Sequence, residues 1–280
     1  MTHHEHTAAA DTAQFEMLDL DAEVMHDDLA ELTAELAGLV DPPVRRILDL
    51  GSGTGAGTFV LLERFEQAAV LAVDTAEPVL AHLAGKAAAR GVSDRVRTER
   101  ADLDAEFPAL DEPVDLVWAS ASLHHLADPA RVLGEVFAAL RPGGVLAVAE
   151  LDSFPRFLPD DLGFGRPGLE ERCRDLLARK RAEHLPHISA DWAEPVAGAG
   201  FTAVAHRTVD VDLSAPLPAV ARRYAEVTLR RMRPFLDASL DEADVASLGE
   251  LLDSDGPGAL RNRDDLTVRA TRTFLAARRP

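Results

Sequence analysis

The sequence predicts an α/β protein with a doubly wound parallel sheet, and three observations support this fold class. Short apolar runs alternate with amphipathic helical patterns over residues 45–151. One run, apolar without alternation, ends at Leu50 and breaks into four glycines between residues 51 and 57, and a helical pattern follows. Acidic or small polar residues follow the ends of successive runs. Because parallel strands end at the same edge of a sheet, these residues are expected to line one crevice.

The elements of residues 45–151 follow one another in a regular order. Most of the strands are short apolar runs, and Asp74 closes the second one. Gly91 stops the second helix, a proline lies near the start of the third, and residues 141–144, Arg-Pro-Gly-Gly, predict a sharp turn. The predicted strands are Arg46–Leu50, Ala69–Val73, Val96–Glu99, Val114–Ala119 and Val145–Leu151, and the predicted helices are about Thr58 to Phe65, Glu77–Arg90 and Pro129–Leu140.

The flanking regions are less regular. Residues 1–18 predict a disordered tail, and a leucine stripe predicts a helix over Leu20–Leu39 that ends before two prolines. The later elements are helices at about Leu169–Arg181, Trp192–Ala199 and Leu217–Leu252, and strands at Phe201–Leu213 and Leu266–Ala276. We therefore expect one domain over residues 19–280, made of an N-terminal cap helix (19–44), a cofactor-binding core (45–151) and two helical insertions over the substrate (152–190 and 214–264).

Composition narrows the classes of function. The 280 residues carry 48 acidic and 29 basic side chains, a net charge of −19, which argues against a general nucleic-acid surface. No apolar run approaches the roughly 20 residues that span a bilayer. With no signal-peptide pattern and Cys173 as the single cysteine, the expected location is cytoplasmic and the expected partner is a small molecule, with no nucleic acid and no membrane.

The strand ends carry groups that suit a nucleotide. A carboxylate at Asp74 can accept hydrogen bonds from the two hydroxyls of a ribose, and one at Asp102 can accept from an adenine amino group. The backbone at Ala119 and Ser120 is expected to line the next part of the groove. The glycine spacing itself also satisfies the dinucleotide pattern, so it does not choose between nicotinamide and other nucleotide cofactors.

Several segments, taken in order, resemble the motifs of class I S-adenosylmethionine-dependent methyltransferases. They are residues 47–57, 73–74, 101–104, 115–125 and 140–148. The His-His loop and the Arg-Pro-Gly-Gly segment resemble the small-molecule branch of that family. The resemblance implies a Rossmann-like, seven-stranded, mostly parallel sheet with an antiparallel last strand. It also implies S-adenosylmethionine as cofactor and in-line methyl transfer to an oxygen, nitrogen or carbon atom of a small organic molecule.

The resemblance further implies a set of cofactor-binding residues at the strand ends. The residues implied for the methionine part are those of the first turn and the fourth strand end: Asp49, Gly51, Ser52, Gly53, Gly55, Ala119 and Ser120. Asp74, at the second strand end, is implied for the ribose. Thr75, Asp102 and Leu103, beside the second and third strand ends, are implied for the adenine.

Candidates for catalysis and substrate binding lie past the fourth and fifth strands. His124 and His125 are the candidate general bases, because histidine titrates near neutral pH. The alternative for both is that they shape the loop through backbone hydrogen bonds. The candidate substrate residues are Glu150, Asp152, Phe154, Phe157 and Tyr224. The alternative for the acidic residues is that they are ordinary loop acids, and the alternative for the aromatic residues is that they pack in the core.

Two other functions remain open at the level of sequence. A nicotinamide-dependent oxidoreductase would need a Tyr-x-x-x-Lys pair or a comparable acid–base pair, and the single tyrosine, Tyr224, has no lysine four residues on. A non-catalytic S-adenosylmethionine-binding protein is the second alternative, because methyl transfer requires no obligatory catalytic residue.

Overall fold

A seven-stranded sheet runs through the computed structural model, which describes residues 3–182, 187–188, 190–236 and 239–280. The strands are β1 (Arg46–Leu50), β2 (Ala69–Asp74), β3 (Val96–Arg100), β4 (Val114–Ser120), β5 (Leu140–Leu151), β6 (Thr202–Leu213) and β7 (Val268–Arg278). Their order is β3-β2-β1-β4-β5-β7-β6, with β1 to β5 parallel and β7 antiparallel to β5. The predicted sheet with an antiparallel last strand is confirmed.

The register aligns the carboxyl ends of the central strands. Leu50, the last residue of β1, pairs with Val73 on one side and with Ala119 on the other. The chain order reverses between β1 and β4, since β2 and β3 lie on one side and β5 on the other. Ligands of open α/β sheets bind in the crevice at such a reversal. The glycine turn after β1 therefore lies at the position that this architecture reserves for a ligand.

Nine helices accompany the strands within the described residues. They are α1 (His3–Val24), α2 (His26–Leu39), α3 (Ala56–Arg64), α4 (Glu77–Ala89), α5 (Pro129–Ala139), α6 (Leu169–Ala182), α7 (Ala193–Gly198), α8 (Ala219–Leu236) and α9 (Glu242–Asp253). The start of α5 shows how sequence sets a boundary. Pro129 takes the first helical position, and the Asp128 carboxylate accepts from the Arg131 N–H at 3.1 Å. None of the helices described is both long and apolar enough to cross a membrane.

Three local predictions differ from the structure. Helix α1 begins at His3, where a disordered tail over residues 1–18 was expected, and the single predicted helix over 20–39 is divided at Met25 into α1 and α2. The predicted turn at 141–144 is an irregular stretch inside β5, at the point where its register against β4 shifts. The local pattern does not reveal a partner of this stretch: the Gly143 N–H donates to the carbonyl of Arg279, which directly follows β7.

The chain divides into two compact units. The core unit comprises His26–Asp152, His187–Val209 and Arg272–Pro280, and the second unit comprises Met1–Met25, Ser153–Pro186 and Asp210–Thr271. The core unit buries the apolar faces of β1, β4 and β5 together with α5. The second unit buries its own cluster from α6, α8 and α9. The predicted single domain over 19–280 thus has two parts, and most of both predicted insertions belongs to the second unit.

Candidate functional site

The turn after β1 depends on glycine. Gly51, Gly53 and Gly55 all have positive φ angles, of 66°, 52° and 91°. A Cβ atom at Gly51 would lie 2.4 Å from Cβ of Ser122, far inside van der Waals contact. The Ser52 N–H donates to the Val73 carbonyl at 2.9 Å, which ties the turn to β2. The backbone of the turn is therefore fixed from both neighbouring strands.

Asp74 ends β2 beside this turn. Its Oδ2 accepts from the Gly53 N–H and its Oδ1 from the Ala76 N–H, each at 3.0 Å. The side chain is half-buried, so one side of the carboxylate remains accessible. An ionised carboxylate offers about four lone-pair positions, and two are used here. Asp74 therefore has capacity left to accept from hydroxyl groups of a ligand, at the place where the sequence predicts a ribose.

Asp49 lies buried on β1 below the turn. Its Oδ2 accepts from the Thr58 hydroxyl at 2.6 Å. The pKa of this carboxyl is raised to about 7, chiefly by burial and in smaller part by the charge of Asp74, against the opposing hydrogen bond from Thr58. Close by, a Cβ atom at Gly57 would lie 2.4 Å from Nε1 of Trp118 and 3.3 Å from Oδ2 of Asp49. The approach of α3 to the carboxylate thus requires glycine.

Trp118 is a residue that the sequence reasoning missed. It is fully buried on β4, and its indole N–H has no acceptor among the described residues. A tryptophan N–H that is buried usually has a partner. A signal was present in the sequence, because a tryptophan in an otherwise aliphatic strand brings a polar atom into the sheet.

A buried carboxylate braces the loop after β4. Oε1 of Glu150 accepts from the backbone N–H groups of Ser122 at 2.8 Å and Leu123 at 2.7 Å, and Oε2 lies 2.6 Å from Nδ1 of His124. An ionised carboxylate only accepts, so the proton of this last bond is on Nδ1. Glu150 was predicted as a substrate residue. The structure gives its two oxygens three internal donors, so a substrate contact stays a prediction without support from this geometry.

The two histidines of this loop have different surroundings. His124 is buried and held by Glu150, while His125 is exposed at the rim. The pKa of His125 is lowered from its usual value because the ring has lost part of its hydration and because His124 lies beside it, with ring centroids 4.2 Å apart. The charges of Glu150 and Asp74 oppose this shift. His125 is therefore the one of the pair that a ligand could reach in the neutral form.

The structure places the other predicted site residues of the core unit as follows. Ser120 is the last residue of β4 and Ala119 is buried before it, while Thr75 and Asp102 are exposed and Leu103 is buried. Oδ1 of Asp102 accepts from the Asp104 N–H at 3.1 Å, which shapes the loop after β3. Oδ1 of Asp152 accepts from the Thr273 hydroxyl at 2.8 Å. All of these lie at or just after the carboxyl ends of strands.

The aromatic candidates lie in the second unit. Phe157 and Tyr224 are buried in its apolar cluster with ring centroids 5.4 Å apart, and the Tyr224 hydroxyl donates to Oδ1 of Asp21 at 2.6 Å. Packing accounts for both, and a role in substrate binding stays a prediction. Phe154 is only half-buried and has the Arg181 guanidinium over its ring. Cys173 is buried, which raises the pKa of its thiol to about 12, so it is not a nucleophile.

Unpartnered polar atoms surround the glycine turn. The hydroxyls of Ser52, Thr54 and Ser122 are buried and have no hydrogen-bond partner among the described residues. Buried hydroxyls are normally satisfied, so three together indicate donors and acceptors meant for a ligand. The half-used carboxylate of Asp74 belongs to the same crevice. The residues present therefore fit a polar nucleotide-type cofactor. No cluster of three metal-ligating side chains occurs in the described part of the chain.

Comparisons with known proteins agree with this geometry. Residues 47–144 match a family model described as a methyltransferase domain. Over 220 residues the chain is 30% identical to trans-aconitate 2-methyltransferase from Acidovorax sp. strain JS42, a match that covers 78% of this chain and 74% of that protein. The chain belongs to the class I S-adenosylmethionine-dependent methyltransferases. The strand order distinguishes this family from dinucleotide-binding folds, whose common order 3-2-1-4-5-6 lacks the inserted antiparallel β7.

Other relatives match over shorter ranges. The chain is 33% identical over 125 residues to tRNA 5-carboxymethoxyuridine methyltransferase from Escherichia coli K12, which covers 45% of this chain and 46% of that protein. A solved methyltransferase from Geobacter sulfurreducens, bound to S-adenosyl-L-homocysteine, has 20% identity and a TM-score of 0.50, with coverage of 89% of this chain and 90% of that one. Several curated relatives, also trans-aconitate 2-methyltransferases, are matched over only 37% to 52% of their own length.

Proposed function

We propose that this protein transfers a methyl group from S-adenosylmethionine to a small organic molecule. The observation that carries the proposal is the crevice between β1 and β4. There the glycine turn, the half-used carboxylate of Asp74 and three unpartnered hydroxyls meet at one edge of the sheet. Membership of the family and the predicted motif order support the same function.

The residues of the core unit have separate tasks in this proposal. Asp74 would accept from the ribose hydroxyls, and the loop that contains Asp102 would hold the adenine. The glycine turn would let the methionine part approach the backbone, where the buried hydroxyls of Ser52 and Thr54 would supply polar contacts. Asp49 and the Trp118 N–H support the floor of the crevice.

Catalysis is then mainly a matter of alignment. When bound, S-adenosylmethionine supplies an electrophilic methyl group on a sulfonium sulfur. The protein holds the acceptor atom in line with the methyl group and excludes water. The acceptor's lone pair would form the new bond to carbon, and the carbon–sulfur bond would break to leave a neutral thioether. Where the acceptor atom carries a proton, His125 would take it, because its lowered pKa leaves the ring neutral at pH 7.

The acceptor is proposed to be a small molecule, and a carboxylic acid such as trans-aconitate is the first compound to test because several relatives carry that name. The net charge of −19 supports the absence of a nucleic-acid partner, although a tRNA enzyme is among the relatives. A cytoplasmic location is part of the same proposal.

Radiolabelled methyl transfer tests the proposal. The full chain is incubated with methyl-labelled S-adenosylmethionine and a panel of acceptors that includes trans-aconitate, small amines, phenols and total tRNA. Label in a small-molecule product, identified by mass spectrometry, is the expected result. Label in tRNA alone would show that the acceptor is a nucleic acid and not a small molecule. Binding of the cofactor without transfer to any acceptor would favour a non-catalytic binding protein.

A pair of matched variants ties the result to the crevice. Asp74→Ala is expected to abolish labelling at low cofactor concentration. Asp94→Ala removes an exposed carboxylate near the opposite, amino-terminal edge of the sheet, before β3, and is expected to retain full labelling. Equal loss in both variants would show that labelling does not depend on the proposed site.

A further inference from the structure

Four arginines of the second unit influence one another electrostatically and form no salt bridge within the described residues. They are Arg156, Arg174, Arg181 and Arg269, the arginine cluster. Within the described residues none of the four lies within salt-bridge distance of an acidic side chain. Arg156 and Arg269 exchange backbone hydrogen bonds at 2.8 and 2.9 Å, which brings their positions together. The cluster therefore places positive charge in one region of the unit, where Glu170 acts on Arg174 and Arg269 without forming a salt bridge to either.

Composition does not explain this lack of partners. The chain carries 19 more acidic than basic residues, so carboxylates are abundant. Other arginines of the same unit do find them: Arg172 pairs with Asp244 at 2.7 Å, and Arg223 pairs with Glu16 at 2.7 Å. An unpaired arginine cluster in so acidic a chain indicates that its counter-ion comes from outside the protein.

Arg181 has the clearest need for a ligand. Its side chain is half-buried, its guanidinium lies over the ring of Phe154, and its Nη1 is buried without a hydrogen-bond partner. The pKa of this guanidinium is lowered to about 10, chiefly by burial and in smaller part by the neighbouring charge of Arg174. An arginine in this position is normally satisfied by an acceptor, and the described chain offers none.

Arg174 lies two helical turns before Arg181 on α6 and shares the contact with Phe154. One of its Nη atoms donates to the carbonyls of Phe154 and Pro155. The nearest acid that influences it, Glu170, is already engaged, because its two oxygens accept from the N–H groups of Phe157 and Leu158. Arg174 thus keeps donors of its fork available next to Arg181.

We propose that Arg174 and Arg181 bind the carboxylate group of a small organic acid, with Phe154 against its apolar part. The planar guanidinium fork matches a carboxylate in two parallel hydrogen bonds. The assignment concerns the second unit alone and does not depend on the proposed function, because binding is measured without methyl transfer.

Calorimetry on the full chain tests the assignment with two polycarboxylates, trans-aconitate and citrate, and separately with S-adenosylhomocysteine. The variants are Arg174→Gln and Arg181→Gln. Arg179→Gln is the matched control, since it removes an exposed arginine of the same helix. We expect polycarboxylate affinity to fall about 10- to 100-fold in the first two variants and to stay unchanged in the control, because charge-assisted hydrogen bonds are lost. Arg181→Lys keeps the charge but not the fork, and an intermediate loss is expected.

The possible outcomes separate this inference from the proposed function. Binding of S-adenosylhomocysteine without any polycarboxylate binding would overturn the inference and leave the function standing. Equal polycarboxylate affinity in all variants, or equally tight binding of sulfate, would also overturn it. Failure to bind S-adenosylhomocysteine would count against the proposed function alone. Thermal melting of each variant confirms that weaker binding is not loss of fold, and a variant that fails to melt cooperatively is replaced by its lysine counterpart.

Discussion

Removal of the Glu150 carboxylate is expected to be one of the most damaging single changes in the core unit. The side chain is 3% exposed and receives hydrogen bonds from Ser122, Leu123 and His124. Glu150→Ala leaves all three donors without their acceptor. Because the loop holds Ala121 at a φ of 49°, an unusual angle for a residue with a Cβ atom, it depends on such external bonds for its shape.

The expected cost follows from these contacts. An unsatisfied buried donor costs about 1–3 kcal/mol. Three donors that relax together and admit some water are expected to cost about 3–5 kcal/mol, a large share of the about 5–15 kcal/mol typical of a domain. Glu150→Gln keeps one carbonyl oxygen for the two backbone N–H groups, and we expect it to cost only about 1–2 kcal/mol.

Urea denaturation of the three proteins measures these differences. Glu135→Ala serves as a surface control, since Glu135 pairs with the partly exposed Arg131 at 2.8 Å and its loss is expected to cost less than about 1 kcal/mol. If Glu150→Ala were no less stable than Glu135→Ala, the carboxylate would not brace the loop and the argument from its hydrogen bonds would be refuted.

Three further changes probe the crevice. Asp49→Asn should stabilise the ligand-free protein. A carboxyl whose pKa rises from 3.8 to about 7 on folding costs stability as pH rises between these values. The gain from Asp49→Asn should therefore grow between about pH 4 and pH 7, to on the order of 2–4 kcal/mol, and level off above pH 7; a pH-independent gain in urea midpoint would contradict this. Gly51→Ala should lower the free energy of unfolding by more than about 2 kcal/mol, because of the positive φ of Gly51 and its approach to Ser122. Gly85→Ala, in the open middle of α4, is the control and should raise it by about 0.5–1 kcal/mol. Similar shifts in melting temperature for the two variants would refute the strain argument. His125→Gln should lower the rate of methyl transfer to a protonated acceptor about 10²-fold or more without changing S-adenosylhomocysteine affinity, and an unchanged rate would exclude it as the base.

The sheet and the cofactor crevice could be predicted because their signals are local. Most strands of the core are short apolar runs, and Asp74 stands directly at the end of such a run. A tight turn with positive φ angles requires glycine whatever the rest of the chain does, so Gly51 and Gly53 mark the turn in the sequence itself. Because the core strands are parallel, their carboxyl ends lie at the same edge of the sheet, and residues at separate strand ends come together there.

The roles of several side chains depend on contacts between residues far apart in the chain, and these could not be predicted. Glu150 lies at a strand end, where a ligand-binding residue is expected. Its carboxylate is instead hydrogen-bonded to a loop more than twenty residues earlier in the chain. Tyr224 has a side chain suited to a substrate contact, but its hydroxyl is instead hydrogen-bonded to Asp21 near the N-terminus. Residues 141–144 have the composition of a turn, and pairing with β7 keeps them within the strand.

The most direct test of the central claim is a calorimetric titration of the full chain with S-adenosylhomocysteine and, in parallel, with NAD. We expect S-adenosylhomocysteine to bind and Asp74→Ala to weaken that binding by about 1–3 kcal/mol, because ribose hydroxyls lose their acceptor, while Asp94→Ala binds as tightly as the unchanged protein. Tight binding of NAD with no binding of S-adenosylhomocysteine, or an affinity that Asp74→Ala leaves untouched, would contradict the assignment of the crevice.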